Sequence, residues 1–229
     1  MQLFILRREA ARLAEIEPAL RAFAEQYPTM PSWRCGLTVL FADLGREADA
    51  RREFVQLAAG DFAAIPRDLG WFVCMTMLAE ACHFLRDQPR AAVLYRLLAP
   101  YAQQCVVFGS VGVACSGSVS RYLGLLAATM GDWTAAARHF EDALAVHRRM
   151  GAHPWVAHTQ RDYAEMLLER GAGDDRARAR SLLEDALAAA HALGMPALHE
   201  RAAALARGAE SAASAPGLTT APTLSGSGP

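Results

Sequence analysis

The 229-residue chain contains no lysine; all 23 of its basic residues are arginine. That absence removes every chemistry that needs an amine, from Schiff-base catalysis to the phosphate-loop and kinase-type lysines. An excess of charge is lacking too, since 23 basic and 24 acidic side chains leave a formal net charge of −1. Neutralising a nucleic-acid backbone needs a marked basic excess or a concentrated basic stripe. Neither is present, and no nucleic-acid partner is expected. The five cysteines, Cys35, Cys74, Cys82, Cys105 and Cys115, form no CxxC pair and sit in apolar text. They read as reduced core residues of a cytoplasmic protein. Long apolar runs are missing as well. Leu3 to Leu6 gives only four apolar residues before Arg7 and Arg8, too few for a secretory signal. The charge-free stretch 97–120 is interrupted by Pro100, Gln103, Gln104 and several Ser and Gly, so it reads as buried protein and not as a membrane span.

Catalytic signatures are equally scarce. The chain has no GxSxG, HExxH or GxGxxG, and His199-Glu200 has no second ligand one helical turn on. Cys82-His83 is the nearest approach to a nucleophile pair. Neighbours on a helix point about 100° apart, and Cys82 continues the apolar stripe of Leu78, so it reads as structural. His153 and His158 read as a cap-proximal and an exposed histidine. The expectation is a protein that is not an enzyme and has no metal or cofactor.

What the sequence does contain is helical periodicity. In Ser120 to Leu144, Leu123, Leu126, Ala127 and Met130 recur at three- and four-residue steps, Gly131-Asp132 interrupts, and Ala136, Phe140, Ala143 and Leu144 form a second stripe. This is a helical hairpin in which Phe140 drops between small residues, chiefly Gly124 and Ala127. Leu123-Gly124, Gly131 and Ala136-x3-Phe140-x2-Ala143 resemble the tetratricopeptide-repeat signature, whose units cannot bury their apolar faces alone. The same reading finds four further pairs. Leu3 to Ala14 precedes Pro18 to Tyr27, Trp33 to Leu44 precedes Glu47 to Ala58, Leu69 to Leu85 precedes Arg90 to Cys105, and Pro154 to Arg170 precedes Ala177 to Leu193. Ala19, Ala50, Ala91, Ala136 and Ala179 mark equivalent positions at irregular spacing. The expected architecture is all-α: a tetratricopeptide-like right-handed superhelix of about five antiparallel helix pairs over 1–207, closed by a helix Pro196 to Arg207. Residues 208–229, rich in Gly, Ala, Ser, Thr and Pro, are expected to be disordered.

A more specific resemblance covers roughly Leu3 to Leu205. The segments WRCGLTVLFADLGREADARREF, LLAPYAQQCVV, SVSRYLGLLAATMGDWTAAARHFEDAL and RMGAHPWVAHTQRDYAEMLLERG resemble the C-terminal helical-repeat region of large bacterial signalling ATPases. In that family the repeats follow an ATPase module, and the N-terminal output part is commonly an adenylate-cyclase, transcriptional-activator or LuxR-type DNA-binding domain. The resemblance implies a sensor or interaction region, and raises the question of whether Met1 opens the whole protein or a segment of a longer regulator. The expected partner is a protein or peptide segment, such as an ATPase or output domain, with no direct nucleic-acid or membrane contact.

In such an array the binding groove is lined by first helices. Beside the hairpin stripes these would present Thr76, Glu80 and His83, then Ser118, Arg121, Leu125 and Thr129, then His158, Arg161 and Glu165. Arg121 and Arg161 occupy similar places on successive first helices, so stacking would bring two guanidiniums together for a partner's carboxylate or phosphate. The competing reading is an internal ion pair, with Glu165 one turn beyond Arg161 and Asp162 beside it. A second functional class is a small-ligand sensor, with the stretch Val106 to Val119 lining an apolar pocket between hairpins.

Overall fold

The computed structural model describes residues 2–108 and 114–214. Among them are eleven α-helices and one two-stranded sheet. The helices are α1 (Gln2–Glu9), α2 (Glu17–Gln26), α3 (Pro31–Asp43), α4 (Glu47–Leu57), α5 (Trp71–Phe84), α6 (Gln88–Leu98), α7 (Val119–Thr129), α8 (Trp133–Arg149), α9 (His153–Arg170), α10 (Asp175–Ala192) and α11 (Pro196–Ser214). Strands β1 (Cys105–Phe108) and β2 (Ala114–Ser118) stand between α6 and α7. No described helix is long and apolar enough to cross a membrane.

Local chemistry sets the helix starts. Proline occupies the first turn of α2, α3, α6 and α9, where its missing N–H costs nothing. The Asp87 carboxylate accepts the Arg90 N–H to open α6, and Asp132 accepts the Ala135 N–H to open α8. Helices on either side of a short turn pack together: α3 on α4, α5 on α6, α7 on α8 and α9 on α10. The leading helices also pack on one another, α3 on α5, α5 on α7 and α7 on α9. Ala50, Ala91, Ala136 and Ala179 are fully buried, as are Phe54 and Phe140.

Four expectations are corrected. The first pair is not a repeat: Ala19 is exposed, α2 packs on α3, and the helix expected over Leu3 to Ala14 stops at Glu9. Beyond it Ala11 takes a left-handed conformation (φ 57°) before a 3-10 turn, Leu13–Ile16. The chain is not free of sheet: α6 ends at Leu98 and Cys105–Phe108 pairs antiparallel with Ala114–Ser118. The adjacent β-branched valines Val106 and Val107 favour strand there. Cys105 and Cys115 lie on this hairpin, half-buried, so only Cys35, Cys74 and Cys82 belong to the core. Finally, α11 continues to Ser214, into residues expected to be disordered, as the alanine-rich run there favours helix. The rest of that tail, 215–229, lies outside the described residues, as does 109–113 within the expected ligand-binding stretch.

The hairpin is anchored by a close approach. Gly117 has a left-handed φ of 80°, and a Cβ there would lie 2.8 Å from His147 Nε2 and 3.1 Å from the Trp155 ring. Only glycine meets both demands. The next residue's N–H, that of Ser118, donates to His147 Nε2 at 2.7 Å.

Candidate functional site

The leading helices share one face, and on it lies a polar cavity of about 240 Å³. Asp43 reaches it from α3, Glu80 and His83 from α5, Arg121 and Leu125 from α7, and Arg161 and Glu165 from α9. Two contributors come from the ends of the described chain, Arg8 from α1 and Arg201 from α11. Six of the ten groove residues expected from the sequence line this cavity: Glu80, His83, Arg121, Leu125, Arg161 and Glu165. Thr76 and His158 lie elsewhere on the same face and are buried. Thr76 donates its hydroxyl to the Val73 carbonyl at 3.1 Å.

The charged residues form one alternating chain. Arg201 Nη1 meets Asp43 Oδ1 at 2.9 Å, and Asp43 Oδ2 accepts from Arg8 Nε at 2.6 Å. Arg8 Nη1 reaches Glu80 Oε2 at 2.8 Å, and Glu80 Oε1 accepts from Arg121 Nη1 at 2.9 Å. Arg121 Nε then donates to Asp162 Oδ2 at 2.7 Å. Asp162 Oδ1 lies 2.5 Å from Arg161 Nη2, and Arg161 Nη1 donates to Glu165 Oε2 at 2.9 Å. The chain therefore ties α11, α3, α1, α5, α7 and α9 in sequence. Buried carboxylates persist as ions only when paired in this way.

Protonation follows the pairing. Burial alone would raise the Glu80 carboxyl, yet Arg8 and Arg121 outweigh it and hold it well below the usual carboxylate range. Burial likewise opposes the Glu165 charge, but His83, whose Nε2 lies 3.9 Å from Oε2, together with Arg161 and Arg86 draws it down to about 2. Burial works against the Arg121 guanidinium too, and Asp162 and Glu80 overcome it and raise its pKa. Arg201 differs. Burial lowers it, Asp43 opposes that, and Arg8 and Arg161 add repulsion.

Arg121 is not displayed to a partner. It is 2 % exposed and held between Glu80 and Asp162, so for this residue the internal-ion-pair reading holds. Arg161 keeps its sequence neighbours Asp162 and Glu165 and is half-buried at the cavity wall. His158, expected to be exposed, is buried because α1 lies over it: its Nε2 is 2.9 Å from Glu9 Oε1. Burial favours its neutral form more strongly than Glu9 favours the charged one. His83 Nδ1 sits 2.9 Å from Thr129 Oγ1, and Ser118 caps α7 by accepting the Ser120 N–H. Cys82 is also structural. Its Sγ donates to the Asp87 carbonyl at 3.3 Å, and burial, then Asp87, push its thiol far up. Among the described residues no group of three or more His, Cys, Asp or Glu is placed to hold a metal ion.

Sequence reasoning missed Arg8, Asp43, Asp162 as the Arg121 partner, and Arg201. Arg8 pairs across 35 and 72 residues, and Arg201 across 158, so no local spacing marks them. A separate, largely apolar cavity of about 370 Å³ opens between the start of α3 and the loop before α5. The stretch Val106 to Val119 contributes only Phe108 to it, among the described residues. No protein-family model, curated protein or solved structure matches the chain.

Proposed function

We propose that this chain is a non-catalytic, cytoplasmic interaction and regulatory module. In this reading its helix pairs form a tetratricopeptide-like right-handed superhelix, similar in role to the sensor region of the bacterial signalling ATPases and transcriptional regulators it resembles. The groove between the leading helices receives a segment of a protein partner, an ATPase or output domain being the kind expected. The observation that carries this is the convergence of α3, α5, α7 and α9 on one polar cavity whose acids and bases are already matched to each other. A general base or nucleophile needs an unengaged group with a tuned pKa. Here the carboxylates are locked to guanidiniums, which suits recognition better than turnover.

Photo-crosslinking tests the reading. A benzophenone amino acid is placed at Phe84, on the cavity wall, or at Arg138, an exposed position of α8. The expected outcome is a discrete covalent adduct in cells from position 84 and none from 138, with the captured segment identified by mass spectrometry. Adducts from position 138 alone would place the partner on the other face and overturn the assignment.

A further inference from the structure

The groove is already occupied by part of its own chain. Helix α1 has eight residues and buries only Phe4, which packs over Gly36 of α3. Of its other apolar side chains Ile5 is half-buried, while Leu3 and Leu6 are 57 % and 66 % exposed. What fixes it is polar: Arg8 bridges Asp43 and Glu80, and Glu9 meets His158. A helix this short has little stability in isolation, and the left-handed Ala11 forms a joint between it and the following turn. Lifting α1 away would leave Asp43, Glu80, Asp162, Glu165 and Glu169 facing Arg121, Arg161, Arg201 and Arg86, which Glu165 and Glu169 share, one positive charge short. Whatever replaces α1 must therefore bring a cation.

We propose that α1 is a removable occupant of the groove. The partner that displaces it is an amphipathic helix carrying an aromatic residue, an arginine one turn later and an acid directly after it, the pattern of Phe4, Arg8 and Glu9. This rests on the interaction reading above and adds its regulation. The tethered α1 competes at a local concentration on the order of millimolar, so the closed form rejects weak partners and admits those presenting the full pattern.

The test uses the full chain, as wild type and as the double variant Phe4→Asp/Arg8→Glu, with a fluorescein-labelled synthetic peptide of residues 2–12 as probe. Both proteins are first checked for helicity and cooperative unfolding. Anisotropy should show at least tenfold tighter peptide binding to the double variant than to wild type, and a peptide carrying Arg8→Glu should lose that gain. Equal binding by both proteins, or none by a folded double variant, overturns the proposal. If the double variant does not fold, hydrogen exchange on the wild type decides. Amides of α1 exchanging together at least tenfold faster than those of α5 and α7 support a removable segment, and co-exchange with α5 overturns it. Cavity crosslinks without peptide binding would leave the interaction reading standing and remove the role of α1. Peptide binding with crosslinks only at position 138 would do the reverse.

Discussion

A methyl group added at Gly124 would stand 2.8 Å from the ring of Phe140. Helices α7 and α8 thus meet through backbone on one side and a fully buried aromatic on the other. Phe140→Ala is expected to cost about 3–5 kcal/mol, the range for a truncated core aromatic. Gly124→Ala should cost about 1–3 kcal/mol by overpacking. Arg138→Ala, on the exposed face two residues from Phe140, should cost under about 0.5 kcal/mol. Urea denaturation of the three variants checks this, and equal losses at 138 and 140 would refute the packing.

Arg121 sits between two carboxylates and out of water. Replacing it with glutamine leaves Glu80 and Asp162 without their shared cation, so a loss of about 3–5 kcal/mol is expected. The exposed pair of Arg178 with Glu141 supplies the contrast. Arg178→Gln should change stability by no more than about 1 kcal/mol. Chemical unfolding measures both, and a small effect at 121 would mean that the ion-pair chain is not what stabilises the groove.

His147 must stay neutral to keep its place. Its Nε2 accepts the Ser118 N–H, and its Nδ1 lies 3.1 Å from Thr159 Oγ1, whose hydroxyl already donates to the Trp155 carbonyl. A second proton would point at a donor. Burial first, then Arg121, bring its pKa down to about 4. The folded state therefore binds fewer protons than the unfolded state below pH 6.5. The stabilisation is complete above the unfolded value and is lost as pH falls from about 6.5 towards 4. Melting temperature should decline through that window, and less steeply in His147→Gln, which keeps an acceptor for Ser118 without titrating. An identical pH profile in the variant would exclude His147 as the cause.

The cysteines separate by environment. Iodoacetamide applied to the native protein should label Cys105 and Cys115 on the hairpin and spare Cys35, Cys74 and Cys82 in the core. All five should react after denaturation. Mass spectrometry of tryptic peptides reads the result, and early labelling of Cys82 would show that α5 opens readily.

What was legible in the sequence was whatever is encoded over one or two helical turns. The Gly131-Asp132 break, Pro18 and Pro154 in the first turns of their helices and the Ala136-Phe140 step each act locally, and the structure places them as read. The Arg161-Glu165 pair belongs to the same class, being one turn apart on α9. The β-hairpin was not legible because the charge-free stretch around Val106 carries no period to distinguish strand from buried helix. Nor was the placement of α1, whose fixing contacts come from Asp43, Glu80 and His158, residues remote in sequence. Arg121 was assigned to the right face but the wrong surroundings, since Asp162 reaches it from 41 residues away.

The contact between Glu9 and His158 spans 149 residues. At roughly 5–20 residues per second of synthesis, α1 leaves the ribosome on the order of ten seconds before α9 exists to receive it. During that interval α1 can already engage α3 and α5, Phe4 over Gly36 and Arg8 between Asp43 and Glu80, while Glu9 waits for His158. The order of translation therefore seats α1 through Phe4 and Arg8 first and completes its anchorage through Glu9 last.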